Sequence, residues 1–308
     1  MNTAPVNAAL LQKSVVAVPP LARNADLALN REENIKLIRH IEAGGVSTML
    51  YGGNANFYNT APSEFESLLA FLEEAAGPDT TIIPSVGPMY GTMMDQARVL
   101  RGSKFATAMV LPAVFGATPA GVETGVRHFV EAAGKPAVLY IKDLNYITPE
   151  GAARVVNDGL ISVIKYAIVR ADPAEDAFLS KLITLVDPKR IMSGIGEQPA
   201  IVHLRDFRLG GFTSGCICVG PKLSMDMLRA MQAGDWEEAD RIRAIFTPLE
   251  DLRNAHSPIR VLHEAVRLAG ISDTGPILPL LSNLDAEHHE PVALAAKALL
   301  EAQAATVR

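Results

Sequence analysis

The sequence predicts an α/β fold, a closed (β/α)8 barrel followed by a C-terminal helical region. Three observations predict it. Short β-branched runs alternate with amphipathic helical stretches through eight units in about 230 residues, no linker-like break interrupts them, and strand signals stop after Pro221. The repeated strand-helix unit is typical of parallel sheets covered by helices. An open doubly wound sheet is the alternative, and the number of units favours the barrel.

The strands are the most regular part of the pattern. We predict them at residues 15–18, 46–51, 81–86, 106–111, 137–140, 161–165, 190–193 and 211–219. Helix starts between them carry capping residues. These are Asn30 with Glu33, Thr118-Pro119, Thr148-Pro149, and Asp172-Pro173 with Glu175.

The chain after Pro221 contains only helical patterns, at residues 222–232, 235–252, 256–268 and from 291 onward. We therefore divide the chain into a barrel, residues 1–221, and a C-terminal helical region, residues 222–308.

Composition and charge exclude several classes of function. The chain of 308 residues is 49% hydrophobic with a net charge of -6, and no basic block stands out, which argues against nucleic acid or an anionic membrane as partner. No apolar run reaches the roughly 18 residues of a membrane span, and no signal pattern opens the chain, so we expect a cytoplasmic protein. Cys216 and Cys218 would point to one side of a strand as small buried residues. We expect no metal, since the histidines form no ligand set.

Tyr140 and Lys165 are the candidate catalytic residues. Each ends an apolar run, and a predicted helix opening at Thr148 separates the two runs. A parallel strand-helix-strand unit places both carboxyl ends at one mouth, where barrel enzymes carry their active sites. An apolar setting disfavours the ammonium form of Lys165, and a neutral lysine can form a Schiff base with a ketone. Tyr140 could then carry protons near the carbonyl oxygen. A solvated lysine and a packing tyrosine are the alternative interpretation.

These residues also carry a resemblance to a known family. Val-Leu-Tyr ending at Tyr140 and Ile-Lys-Tyr-Ala around Lys165, on consecutive strands of an eight-unit barrel with a helical tail, resemble the dihydrodipicolinate synthase and N-acetylneuraminate lyase family of class I aldolases. Further matches run over nearly the whole chain, at residues 16–21, 44–46, 111–112, 193–194, 210–211 and 234–235.

The resemblance implies roles for several residues. Lys165 would form the Schiff base with pyruvate or another 2-oxo acid, and Tyr140 would relay protons. The backbone N–H groups of Gly53 and Asn54 could hold the substrate carboxylate, although the family's Gly-Thr-Thr-Gly-Glu loop here reads Gly-Gly-Asn-Ala-Asn. Gly194 and Ile217 match positions that line the family pocket. The resemblance further implies a homodimer or homotetramer and no cofactor.

The chain also departs from the family pattern. A relay tyrosine of the synthases is missing after strand four, where the sequence reads Ala113-Val114-Phe115. The arginine that follows the strand-five tyrosine in the synthases is also missing, and Lys142-Asp143 stands there. A charge pair at that place could contact substrate or be solvated at the rim. Tyr58 or Tyr90 could replace the lost hydroxyl.

We therefore predict a Schiff-base lyase or aldolase that acts on a 2-oxo acid, with a sugar-acid or aromatic-aldehyde partner in place of the synthase substrate. Two alternatives stay open. One is a 2-oxo-3-deoxy sugar-acid dehydratase in the same fold, and the other is a catalytically silent barrel that binds a metabolite.

Overall fold

A parallel sheet of nine strand segments closes on itself to form the barrel. The computed structural model describes residues 1–113 and 115–305. The segments at the two ends of the sheet order, β3 and β4, are consecutive in the chain and are separated only by Pro84. They act as one barrel strand, with β2 on one side and β5 on the other. This confirms the predicted (β/α)8 barrel over an open sheet.

The strands are short and fully buried. Their bounds are Val16–Ala17 (β1), Thr48–Leu50 (β2), Thr81–Ile83 (β3), Ser85–Val86 (β4), Ala108–Val110 (β5), Ala137–Ile141 (β6), Ile161–Tyr166 (β7), Ile191–Ser193 (β8) and Gly211–Ser214 (β9). Each lies within a predicted run or extends it by one residue. Burial on both faces explains why these strands read as continuous apolar runs without alternation.

Helices surround the sheet and continue beyond it. They are Ala8–Lys13 (α1), Arg31–Ala43 (α2), Phe65–Ala75 (α3), Tyr90–Gly102 (α4), Pro119–Ala133 (α5), Pro149–Asn157 (α6), Ala177–Leu182 (α7), Ala200–Arg205 (α8), Pro221–Ala233 (α9), Trp236–Ala255 (α10), Pro258–Leu268 (α11) and His289–Ala305 (α12). The side chains of Asn30, Thr118 and Thr148 cap α2, α5 and α6 as predicted.

One predicted helix start is wrong. Asp172 accepts a hydrogen bond from the Ala174 N–H in a local turn, and α7 begins five residues later. Its N-cap is Asp176, whose carboxylate accepts from the Leu179 N–H and from the Tyr166 hydroxyl. The buried hydroxyl of Tyr166, on β7, therefore helps to select which aspartate caps the helix.

The last helices pack on the barrel and on one another. Helix α9 contacts α2 and α8 and so takes the place of the eighth barrel helix. Helices α10, α11 and α12 pack together, and α10 also contacts α8. The division of the chain at residue 221 stays a prediction. Within residues 1–113 and 115–305, no helix is long and apolar enough to cross a membrane.

Candidate active site

Strands β6 and β7 bring the predicted pair together. Tyr140 and Lys165 are direct register partners in this parallel pair, so both lie near the carboxyl ends of their strands. The Lys165 Nζ lies over the Tyr140 ring, 4.6 Å from its centroid. The aromatic face stabilises a cation there, and it also excludes water from the amine.

Burial changes the acid-base chemistry of Lys165. The residue is only 6% exposed. Loss of hydration, followed by the positive charges of Lys142 and Arg253, lowers the pKa of Lys165 to about 7. About half of the amine is therefore neutral at neutral pH, whereas an exposed lysine would be almost wholly protonated.

Tyr140 shifts in the opposite direction. Burial, with a smaller contribution from Tyr58, raises its pKa above the ordinary value of 10, and Arg253 partly opposes this. The hydroxyl thus keeps its proton at neutral pH and is available as a donor. Burial also raises the pKa of Tyr58, to about 12.

Lys165 and Tyr140 line a cavity of about 230 Å³ at the mouth of the barrel. Three of the four predicted binding residues, Gly53, Asn54 and Gly194, also line it. The other lining residues are Val18, Tyr58, Lys142, Ala167, Val169, Ile195, Gly196, Thr213, Gly215, Arg253, Asn254, Ser257, Pro258 and Ile259.

The loop after β2 presents backbone donors to this cavity. The N–H groups of Gly53 and Asn54 form no hydrogen bond with any described residue, so both remain available to a carboxylate. The Asn54 side chain is already engaged, since its Nδ2 donates to the Val18 carbonyl at 3.0 Å. That contact fixes the loop against the end of β1.

Gly194 makes room for the lysine. A Cβ at this position would lie 3.0 Å from Lys165 Cγ and 2.7 Å from Ala167 Cβ. The Gly194 N–H also donates to the Tyr166 carbonyl at 2.6 Å. Only glycine permits this close approach of the loop after β8 to the stem of Lys165.

Ile217 is placed differently from the other predicted residues. Strand β9 ends at Ser214, five residues earlier than predicted, because the Ser214 hydroxyl accepts a hydrogen bond from the Ile217 N–H. A single 3-10 turn over Cys216–Cys218 follows. Ile217 is fully buried and does not line the cavity. The two cysteines are free and buried, in this turn and not on a strand.

The structure also separates the two candidate replacement tyrosines. Tyr58 lines the cavity and contributes to the raised pKa of Tyr140. Tyr90 lies elsewhere, 54% exposed, with its hydroxyl 2.9 Å from the His128 Nδ1. Of the Lys142-Asp143 pair, only Lys142 lines the cavity.

Sequence reasoning missed Arg253, which lines the cavity from the last turn of α10. Its guanidinium donates to Glu250 Oε1 at 3.2 Å and to the Ile195 carbonyl at 2.6 Å. The predicted helix ended at residue 252, just before it. Glu250 and Arg253 are three residues apart, a spacing that reads as an ordinary surface ion pair, and only tertiary packing buries both.

A second buried carboxyl group lies behind Arg253. Glu197, Glu250 and the Cys216 thiol have ligand-type atoms within 4.8 Å of one another, all of them buried. Burial raises the pKa of both carboxyls, and mutual repulsion raises that of Glu250 further. A single guanidinium therefore stands beside two buried carboxyls whose pKa values are both raised.

Comparisons with known proteins found similar sequences and similar folds. No family model matches the chain. A curated relative from Xanthobacter autotrophicus, described as a probable 5-dehydro-4-deoxyglucarate dehydratase, is 26% identical over 302 residues, which is 93% of this chain and 95% of the relative.

Two solved structures share the fold. The sialic acid aldolase of Ruminococcus gnavus superposes with a TM-score of 0.82 at 16% identity, over 96% of this chain and 99% of that one. The second structure is YagE, a prophage protein of the dihydrodipicolinic acid synthase family from E. coli K12 in complex with pyruvate. It superposes with a TM-score of 0.81 at 17% identity, over 93% of this chain and 98% of YagE.

The barrel carries a buried lysine at its mouth, and the relatives that share this fold are described as a dehydratase and an aldolase. The chain is thus similar in sequence to a described dehydratase and to a described 4-hydroxy-tetrahydrodipicolinate synthase, and it shares its fold with solved dihydrodipicolinate synthases and a sialic acid aldolase.

The depressed pKa of Lys165 predicts a pH-dependent stability. The unfolded chain binds a proton between about pH 7 and 10.5 that the folded protein does not. The folded state therefore gains stability as pH rises through this window. Below about pH 7 the buried amine is protonated, and its charge then destabilises the folded state by the full amount. Lys165→Met should raise the free energy of unfolding by up to about 4 kcal/mol at pH 7, and this gain should shrink by about 1.4 kcal/mol per pH unit towards pH 9.5.

Urea unfolding at a series of pH values measures this gain. Lys104→Met, at a side chain that is 75% exposed, is the control and should show no such trend. A gain for Lys165→Met that does not change with pH would contradict the shifted pKa.

Proposed function

We propose that this chain is a Schiff-base lyase that acts on pyruvate or another 2-oxo acid through an imine on Lys165. The observation that carries the proposal is the buried amine of Lys165, whose pKa lies at about 7, facing a cavity of about 230 Å³. An amine that is neutral at physiological pH can attack a carbonyl carbon. A silent metabolite-binding barrel would have no need of that shift.

The chemistry proceeds from the neutral amine. Lys165 Nζ attacks the C2 carbonyl of the 2-oxo acid and forms a carbinolamine, which loses water to give an iminium ion. Tyr140 keeps its proton at neutral pH and can donate it to the departing hydroxyl. The iminium then withdraws electrons from the bonds at C3, so either the C3–C4 bond breaks or a C3 proton leaves with loss of a C4 hydroxyl.

The substrate carboxylate would lie against the loop after β2. The N–H groups of Gly53 and Asn54, which have no partner in residues 1–113 and 115–305, suit an anion, and Gly194 leaves space beside the lysine stem. Ile217 has no part in this arrangement, because it lies behind the cavity wall.

The synthase reaction itself fits this site poorly. Ala113 and Phe115 flank the position after β5 at which the synthases carry a tyrosine, and Val114 lies outside the described residues. Tyr58, on the cavity wall, is the hydroxyl that could serve Tyr140 instead.

The dehydratase alternative has a specific support. The curated relative from Xanthobacter autotrophicus is described as a dehydratase of a deoxy-oxo sugar acid, and it aligns with nearly the whole chain. Incubation with a 2-oxo-3-deoxy sugar acid separates the two reactions. An aldolase releases pyruvate, whereas a dehydratase releases water and retains the carbon skeleton.

Assembly and location extend the proposal. We infer a homodimer or homotetramer, because Met89, Tyr90 and Phe115 expose apolar surface around one depression of the barrel wall. Sedimentation equilibrium should give twice or four times the chain mass of 32.9 kDa, and a monomer at micromolar concentration would contradict this. A cytoplasmic location is part of the same proposal, and cell fractionation tests it.

Borohydride reduction tests the imine directly. With pyruvate present, reduction should add a single adduct to Lys165, detected by intact and peptide mass spectrometry. The adduct yield should rise with pH around a midpoint of about 7. Lys165→Ala should abolish the adduct and Lys104→Ala should not. No adduct with pyruvate or with longer 2-oxo acids would favour the silent barrel.

Tyr140→Phe tests the proton carrier. The variant keeps the ring beneath Lys165 and loses only the hydroxyl, so borohydride should still trap an adduct at equilibrium. Turnover should fall by about 10²–10⁴-fold, the range for loss of a general acid-base group. Unchanged turnover would remove Tyr140 from the mechanism.

A further inference from the structure

The cavity is cationic in a chain that is acidic overall. The chain has a formal net charge of -6, yet the ionisable side chains that line the cavity are Lys142, Lys165, Arg253 and two tyrosines. No aspartate or glutamate is among the described residues that line it. Lys142 and Arg253 lower the pKa of Lys165, but the reaction as derived above gives neither of them a contact with the substrate.

Arg253 retains hydrogen-bonding capacity. A guanidinium has five N–H donors, and the described partners of Arg253, Glu250 and the Ile195 carbonyl, take two of them. Its Nε is buried without a partner among the described residues, and the second N–H of each terminal nitrogen also has no described partner, so these terminal groups are the candidate donors to a ligand. A buried guanidinium with free donors at a cavity wall is suited to a carboxylate.

The position of Arg253 is fixed from behind. Glu250 Oε1 accepts from the Glu197 N–H and Oε2 from the Gln198 N–H, both at 2.9 Å. Glu250 therefore ties helix α10 to the loop after β8, the loop that also carries Gly194. Since the guanidinium is held on this frame before a ligand arrives, little side-chain entropy would be lost on binding.

Lys142 supplies a second positive charge at the rim. It is exposed, and it forms no ion pair with any described residue. Its charge contributes to the lowered pKa of Lys165, so it lies within electrostatic reach of the amine. No ion pair joins it to the neighbouring Asp143 in the described part of the chain, and the Asp143 carboxylate, which accepts from the Asn145 N–H, does not line the cavity.

We propose that Arg253, assisted by Lys142, binds a second carboxylate at the end of the substrate remote from the 2-oxo acid. The substrate class is then a 2-oxo diacid and not a 2-oxo monoacid. This inference rests on the proposed Schiff-base function, since the first carboxylate and the ketone are placed by Gly53, Asn54 and Lys165.

Two acids of equal length provide the test. 2-Oxoadipate and 2-oxohexanoate differ only in the distal carboxylate. The concentration of each that gives half-maximal borohydride adduct on Lys165 is measured by intact mass, and the two concentrations are compared as a ratio within each protein. The ratio cancels any change in the lysine pKa, which matters because Lys142 and Arg253 both influence it.

We expect the wild-type protein to favour the diacid by about tenfold, the effect of a charge-assisted hydrogen-bond pair. Arg253→Gln should bring the ratio near one, and Lys142→Met should reduce it several-fold. Lys13→Met, which removes the same charge at an exposed position on α1, should leave it unchanged. Arg253→Gln removes the partner of the buried Glu250 and could therefore also disturb packing. Lys142→Met changes an exposed residue and tests the subsite without that effect.

Equal half-maximal concentrations in the wild-type protein would overturn the inference. A preference for the diacid that persists in both Arg253→Gln and Lys142→Met would also overturn it. In that case Arg253 would bind the first carboxylate or no carboxylate. If neither acid forms an adduct, the proposed function fails, and adipate against hexanoate in a thermal-shift assay then tests the subsite alone. A rise in Tm with adipate that Lys142→Met reduces would support the subsite, and no difference between the acids would overturn it.

Discussion

Burial of the Lys165 ammonium against the Tyr140 ring is the interaction on which the site depends. The surrounding barrel makes that burial costly, since an amine that is 6% exposed loses most of its hydration. The charges of Lys142 and Arg253 add to the cost, and the result is a pKa of about 7. Burial of this amine disfavours folding, and the same burial makes the amine nucleophilic at neutral pH. Perturbed pKa values of this kind are typical of active sites.

The barrel and its tail contribute to the site in different ways. Parallel pairing of β6 and β7 aligns Tyr140 with Lys165, and the loop after β2 leaves the Gly53 and Asn54 N–H groups without a hydrogen bond to any described residue. The tail contributes Arg253, held by Glu250 on the loop after β8. Helix α10 is therefore part of the cavity wall as well as a packing element, and the tail should influence substrate choice.

Much of this arrangement could be predicted from the chain. Buried parallel strands are apolar throughout, helix caps at Thr118 and Thr148 have local signals, and the handedness of parallel crossovers places neighbouring strand ends together. What failed depended on single side-chain hydrogen bonds and on tertiary packing. The Ser214 hydroxyl ends β9 early and turns Ile217 away, and the Tyr166 hydroxyl helps to move the cap of α7 to Asp176. The burial of Arg253 depends on how α10 docks, which no local pattern reports.

The titration of Lys165 tests the account most directly. Reductive methylation with ¹³C-formaldehyde labels lysine amines, and the chemical shift of each dimethylamine reports its pKa by NMR, with Lys165→Arg identifying the resonance. The account predicts one amine that titrates near pH 7, well below the exposed lysines. A Lys165 resonance that titrates above pH 9 would contradict it, because an amine that stays protonated at neutral pH could not begin the reaction proposed here.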